Sequence, residues 1–289
     1  MMTDAALLDA VRTLRWPARH PVRGGAPGVH AARSRGTSVE LSEYRAYRQG
    51  DDPRRLDWKL LARSDRAFVR LSPDHAVLPT TIVVDGSASM DFPVATSGKW
   101  AQARRLALGL AAVAHAQGDP VGLAVTGAGA PRLVPPRTRR GVVAELGRVL
   151  ADVRPAGVAP LAPLVAALRP GRVVLVSDLL GDADAMRTEA SRLVVAGAEV
   201  HVVHVVARDE LEPPAAAALA VDPEDDAVRR PLVGDARAAY VATFAEWRDA
   251  EARRWREVGA VLTTVTDDEA ADRAVRRVVT SRLAVDVAR

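Results

Sequence analysis

Asp85, Ser87 and Ser89 alternate along the stretch Asp85-Gly86-Ser87-Ala88-Ser89-Met90, which gathers one carboxylate and two hydroxyls on a short loop. Hard oxygen donors of this kind suit a divalent cation, and Mg²⁺ in particular keeps water molecules to complete its octahedron. A second acidic loop, Ser177-Asp178, follows another apolar run later in the chain. Asp, Gly and Ser are also the commonest turn residues, and Ser89 could simply cap a helix. The elements that carry the two loops therefore decide between a binding site and ordinary turns.

The run Thr81-Ile82-Val83-Val84 before Asp85 reads as a buried strand, and Arg172 to Val176 before Ser177 as another. Between and after them the spacing predicts helices at Lys99–Gln117, Val142–Val153, Leu161–Leu168 and Ala183–Val195, and strands at Val121–Val125 and Glu199–Val206. A short strand Arg132–Val134 should pair with Val121–Val125 across the Gly127-Ala128-Gly129 turn. An acidic, Pro-rich loop, Asp209 to Pro231, precedes an amphipathic helix at Ala236–Val258, a strand at Ala260–Val265 and a helix at Glu269–Leu283. Strands alternating with helices predict an α/β fold with a doubly wound, mostly parallel sheet, flanked by helices and joined by right-handed crossovers. In such a sheet the first strand lies beside the strand that follows the reversal in order, and ligands bind at their carboxyl ends. Asp178 should then stand next to Asp85.

Ahead of that domain, Ala5 to Trp16 has helical spacing stopped by Pro17. Pro17 to Thr37 reads as a Gly-, Pro- and Arg-rich loop, and Val39 to Leu71 as an irregular lead-in dense in charged and aromatic residues. The expected division is a lead-in segment at 1–75 and the α/β domain at 76–289. Arg45, Arg54, Arg55 and Arg63 alongside Glu40, Asp51, Asp52 and Asp57 suggest an ion-paired network holding this segment in place, since the planar guanidinium binds carboxylates bidentately. Gly50-Asp51-Asp52-Pro53 is a turn by composition, and Tyr44, Tyr47 and Trp58 read as core.

Composition removes several function classes. No apolar stretch of the 289 residues reaches the roughly 18 needed for a membrane span, and no secretion signal is visible at the N-terminus. The absence of cysteine excludes disulfides, Cys-based zinc sites and thiol catalysis, and makes a reducing cytoplasm the natural location. A net charge of +4, without clustered basic and aromatic motifs, gives no footprint for nucleic acid. His201 and His204 lie three apart in a strand pattern and face opposite sides, so they form no metal pair. There is no Walker-type phosphate loop and no Gly-x-Ser-x-Gly elbow, so neither ATP hydrolysis nor α/β-hydrolase chemistry is expected. No catalytic constellation emerges.

Asp-x-Ser-x-Ser after the first strand, with Asp178 after an adjacent one, resembles the metal-ion-dependent adhesion site of von Willebrand factor A domains. That resemblance implies Mg²⁺ held by Ser87 and Ser89, with Asp85 and Asp178 supporting its shell and a partner protein's acidic residue completing it. The threonine such sites use on an intermediate loop is missing: Gly157-Val158-Ala159-Pro160-Leu161 places Ala159 there, which implies a weak or vestigial site, with Thr126 a conceivable substitute. The lead-in segment is more distinctive. Val39-Glu40, Glu43-Tyr44-Arg45-Ala46-Tyr47, Gly50 through Trp58 and Ala62-Arg63-Ser64 closely resemble the signature of the bacterial family catalogued as domain of unknown function 58, which carries an A-type domain. The likeness continues through Ser97-Gly98-Lys99, Gly118 to Leu123, Val174 to Leu180 and Asp209-Glu210-Leu211; it departs at Leu71-Ser72-Pro73-Asp74, where the family usually has a glutamate-rich stretch. Membership implies a von Willebrand factor A-like, Rossmann-like fold with an irregular N-terminal extension, and a non-enzymatic interaction module working with a MoxR-type AAA+ ATPase in chaperone-like assembly or activation of other proteins. Two readings stand beside it: a metal-dependent hydrolase using Asp85 and Asp178, and a metal-free structural scaffold.

Overall fold

The computed structural model describes residues 3–20, 27–36, 43–48, 56–64, 66–96, 98–158, 160–224 and 227–281. In chain order the elements are α1 (Asp4–Val11), β1 (Pro27–Gly36), β2 (Glu43–Ala46), α2 (Trp58–Ser64), β3 (Phe68–Ala76), β4 (Thr80–Val84), α3 (Gly98–Ala116), β5 (Val121–Val125), β6 (Arg132–Arg137), α4 (Val142–Ala151) and α5 (Ala162–Ala166). They continue with β7 (Arg172–Ser177), α6 (Ala183–Val195), β8 (Glu199–Val206), α7 (Arg208–Leu211), β9 (Leu219–Val221), β10 (Arg229–Pro231), α8 (Asp235–Glu257), β11 (Val261–Thr266) and α9 (Ala271–Thr280).

Val-rich runs with no polar alternation can only be satisfied where both faces of a strand are covered. β4, β5, β7 and β8 meet that condition: they are the central strands of a six-stranded sheet ordered β11-β8-β7-β4-β5-β6, and nearly every residue in them is buried. β11 at one edge alternates buried and half-buried residues, while β6 at the other runs antiparallel to β5 and is largely exposed. Helices cover both faces. On one, α1, α3, α4 and α9 bring Leu7, Leu106, Leu110, Leu146 and Val275 against Ile82, Val84 and Val203; on the other, α5, α6 and α8 bring Val165, Met186, Leu193 and Trp255 against Val83, Leu175 and Val202. His201 and His204 point to these opposite faces, His201 edge-on to Trp16 and His204 edge-on to Trp247.

At the amino ends of the strands, Arg172 is fully buried. Its guanidinium lies 4.3 Å from the Trp16 ring centroid, donates to the Trp16 carbonyl at 3.0 Å, and pairs with Glu199 at 3.3 Å and Asp119 at 3.7 Å. The Gln117 side chain clasps the same tryptophan by accepting from its backbone N–H and donating to its carbonyl. These contacts fix the stretch after α1, and with it the α1 docking on α3 and α9, to the sheet.

The chain divides into two compact units, Met1–Trp16 with Pro79–Arg289, and Pro17–Leu78. The first segment therefore belongs with the sheet rather than with the lead-in as the division at residue 75 had it, because Leu7 and Val11 are part of the sheet domain's core. Within the second unit, β3 pairs antiparallel with both β1 and β2. The loop expected from Pro17 to Thr37 thus contains a strand. Its ladder with β3 joins Pro27 to Ala76 and Gly36 to Ser72, a long-range pairing that the local Gly, Pro and Arg content conceals. Asp57 caps α2 by accepting the N–H groups of Lys59 and Leu60, both at 3.0 Å. Tyr47 is half-buried and its N–H bonds the Ala67 carbonyl at 2.8 Å. Trp58 is 63% exposed, which corrects its assignment to the core: it opens a helix of two turns that buries no residue. Arg63 is exposed in the last turn of that helix. Glu40, Gly50, Asp51, Asp52, Arg54 and Arg55 lie outside the described residues, as does the side chain of Arg45.

Candidate functional site

The sheet order reverses at β4, which has β5 on one side and β7 on the other, both parallel to it. Val84 pairs with Val176, and the Asp85 N–H continues the ladder to the Val176 carbonyl at 2.9 Å. The two acidic loops accordingly meet at the carboxyl end of the sheet, at its topological switch point. Ser177 donates its hydroxyl to Asp85 Oδ2 at 2.6 Å and accepts from the Leu179 N–H at 3.0 Å, linking the loops directly.

The backbone after Asp85 is held in place by its neighbours. Gly86 donates its N–H to Thr126 Oγ1 at 3.0 Å, its carbonyl accepts from Ala156 N–H at 2.9 Å, and Ala88 N–H bonds the Gly157 carbonyl at 2.9 Å. Thr126 thus props the loop from below. A side chain at residue 86 has no room, because a Cβ there would stand 2.2 Å from the Thr126 carbonyl oxygen. Gly86→Ala should therefore cost about 1–3 kcal/mol through overpacking, read as a lowered urea midpoint, and should displace Ser87 and Ser89.

Asp85 Oδ1 accepts the Ser87 N–H at 2.9 Å, a turn that directs the next residues across the end of β4. A short 3-10 turn, Ala88–Asp91, then buries Ser89 and Met90. The Ser87 and Ser89 hydroxyl oxygens come to 3.0 Å from each other. This spacing matches neighbouring corners of a Mg²⁺ octahedron, whose bonds of about 2.0–2.1 Å put adjacent oxygens about 3 Å apart. Asp85, Ser87, Ser89 and Asp178 are all buried; Asp85 bonds the Ser87 N–H, and Asp178 lies close enough to act on the Asp85 charge. Ala159 lies outside the described residues.

A cation already present in the chain sits behind this group. Lys99, the second residue of α3, is fully buried, and its ammonium donates to Asp178 Oδ2 at 2.8 Å and Glu210 Oε1 at 2.7 Å. Glu210 in turn accepts the Ala207 N–H through its second oxygen at 2.7 Å, so α7 is tied to the site as well. The Lys99 ammonium also lies 5.7 Å from the Phe92 ring centroid.

Electrostatics follow from this crowding. Burial, reinforced by the nearby Asp178 charge, raises the Asp85 carboxyl from an ordinary 3.8 to about 7, against the opposing hydrogen bonds from Ser177 and Ser87. Burial pulls Lys99 down, but Asp178 and Glu210 together outweigh it and leave the ammonium above its ordinary value. Glu210 is raised by burial, with Lys99 opposing. Among the described residues, no set of three or more His, Asp or Glu gathers closely enough to hold an ion by itself. Any divalent cation here would depend on the serine hydroxyls.

Sequence reasoning passed over Lys99 and Glu210 as functional residues. A signal existed for Lys99. Lys99 is one of two lysines in a chain whose other basic residues are arginines, and an arginine's fork does not fit where a compact ammonium bridges two buried carboxylates.

An Asp-x-Ser-x-Ser loop on the first strand of the sheet and an aspartate on the adjacent later strand meet at the switch point of a doubly wound, mostly parallel α/β sheet, where they form a buried cluster of oxygen donors. Residues 43–250 match the family described as protein of unknown function DUF58, and the chain belongs to that family. Uncharacterised proteins of Mycobacterium tuberculosis and Mycobacterium bovis are each 32% identical over 275 residues, covering 92% of this chain and 86% of theirs. Among solved structures, an aerotolerance-related membrane protein from Bacteroides fragilis aligns over 70% of this chain and 98% of its own, at 16% identity and a TM-score of 0.45. BatB from Bacteroides thetaiotaomicron aligns over 69% and 96%, at 16% identity and a TM-score of 0.43. The SpRpn10 VWA domain aligns over 69% and 94%, at 13% identity and a TM-score of 0.39. No helix among the described residues is long and apolar enough to cross a membrane.

Proposed function

We propose that this chain is a non-enzymatic protein-interaction module that captures an acidic side chain of a partner at the carboxyl end of β4 and β7. The observation that carries the reading is the pair of serine hydroxyls 3.0 Å apart above two buried carboxylates at the switch point. A bound Mg²⁺ would supply positive charge and an open coordination position for a partner's carboxylate. Ser87 and Ser89 would hold it, while Asp85 and Asp178 balance its charge, each oriented by a hydrogen bond from a neighbouring residue. The donor set fits such an ion, with affinity limited by the lack of a hydroxyl at Ala159. A MoxR-type AAA+ ATPase is the partner the family suggests, its ATP-driven movement making or breaking the contact during chaperone-like assembly or activation of other proteins in the cytoplasm.

Mn²⁺ or Mg²⁺ titration of the purified chain should show binding that Asp85→Ala abolishes, and capture of a MoxR-type ATPase should depend on the same ion. Turnover of generic phosphate or ester substrates would overturn the module reading in favour of a hydrolase. One observation favours a metal-free variant of the site: the Lys99 ammonium already pairs with both Asp178 and Glu210. Capture of the ATPase that persists in chelator and is lost in Ser87→Ala would select it.

A further inference from the structure

Ala103, Leu106 and Leu110 of α3 belong to the core of the sheet domain. A neighbouring face of the same helix carries Ala101, Arg104, Arg105 and Leu108, at the spacing of one helical stripe. With Gly147 and Leu150 of α4, and Thr3 and Asp4 at the start of α1, this stripe lines a cleft of about 350 Å³. Small organic ligands occupy volumes of this order. Leu108 and Leu150 are buried and make part of the lining apolar.

Two features of the lining have no explanation in the packing of the fold. The first is charge. The Arg104 Nε–H is buried and meets no acceptor among the described residues, and there the Arg105 guanidinium reaches only Gln102 Oε1, at 3.3 Å. Buried donors in folded proteins are normally satisfied, so an orphan of this kind asks for an acceptor. Burial holds Arg105 below its ordinary value, with Asp4 opposing and Arg104 adding to the depression. Two guanidinium groups thus share the cleft with one carboxylate, and its net charge is positive.

The second feature is Gly147. Inside a helix glycine is disfavoured more than any residue except proline. Packing requires it in α3, where a Cβ at Gly109 would stand 2.7 Å from Val275 Cγ2. At Gly147 a Cβ would meet only Leu108 Cδ1, at 3.4 Å, which is an ordinary contact. A longer side chain there would fill the cleft.

We propose that the cleft binds a small amphipathic oxyanion, its phosphate or carboxylate head held by Arg104 and Arg105 and a short aliphatic body lying against Leu108, Leu150 and Gly147. The planar guanidinium suits either head, because its parallel N–H donors match two oxygens of one group. Asp4 limits the affinity by opposing the charge of the head. The site is separate from the serine cluster and needs no ion there.

Isothermal titration calorimetry on the full chain tests the proposal, with octyl phosphate and octanoate as probes below their micelle-forming concentrations and octanol as the uncharged control. Binding of either anion supports it, and the tighter of the two identifies the head; octanol should bind about tenfold more weakly or worse. Arg104→Ala and Arg105→Ala should each weaken the anion on the order of tenfold, whereas Asp4→Asn should tighten it by removing a like charge. Gly147→Leu should abolish binding and raise the urea midpoint, since a good helix former replaces glycine. Gly147→Ala, the milder change, should raise the midpoint and weaken binding in part. No binding of either anion, octanol bound as tightly as the anions, or affinities that Arg104→Ala and Gly147→Leu leave unchanged would overturn the proposal.

Discussion

Lys99→Met should destabilise the protein by about 3–5 kcal/mol at neutral pH, the usual cost of removing one partner from a buried ion pair. The methionine fills a similar volume, so little of the loss comes from packing. What remains is charge: Asp178 and Glu210 stay buried with no cation between them, at a point where burial and the Asp178 charge already hold Asp85 back from ionising. Urea denaturation followed by circular dichroism gives the difference directly. The deficit should shrink on acidification, because carboxyls that have lost their counter-ion take up protons, and a neutral buried acid costs far less than a charged one. Glu210, raised by burial even with Lys99 beside it, should lead that recovery. Lys99→Arg keeps the charge and still fails in part, since the larger fork has to be forced into a fully buried space. A Lys99→Met protein as stable as the parent would mean that the triad contributes nothing net to folding.

The same lysine shows where sequence reading stops. β4, β7 and β8 were legible because a fully covered strand must be apolar throughout, and the position of Asp85 beside Asp178 follows from topology once those strands are identified. The hydroxyl pair was legible too, since alternation on a tight loop brings Ser87 and Ser89 together locally. Lys99 and Glu210 reach the site from about 12 and 123 residues beyond Ser87, on elements whose packing no local pattern encodes. β1 was missed for the same reason, its ladder to β3 being a long-range pairing. Trp58 was misplaced because hydrophobicity alone puts tryptophan inside, whereas α2 is too short to bury a face.

Asp85→Asn should remove a large pH dependence of stability. In the native chain Asp85 holds its proton up to about 7, whereas in the unfolded chain it releases it near 3.8. Between those values the folded state binds the extra proton, so stability falls as pH rises. The contribution of the protonated acid is fully present below about pH 4 and has been lost once the pH passes about 7, a total of at most about 4 kcal/mol. Asparagine cannot ionise, keeps an oxygen to accept from Ser177, and so should flatten the stability profile over that window and leave the variant the more stable protein above it. Denaturation midpoints measured across the window decide the matter; a parent profile that is already flat would mean that Asp85 is ionised throughout. Magnesium should act in the opposite direction on the parent. A divalent ion favours the ionised carboxylate, so its stabilising effect should be small near pH 5, grow towards pH 8 with release of a proton, and be absent from Asp85→Asn. A carboxylate that is costly to ionise in the resting protein and is relieved by a cation is suited to a contact that forms only when ion and partner arrive together. The free energy that ionising Asp85 costs the fold near neutral pH is then the same free energy that a bound ion would recover.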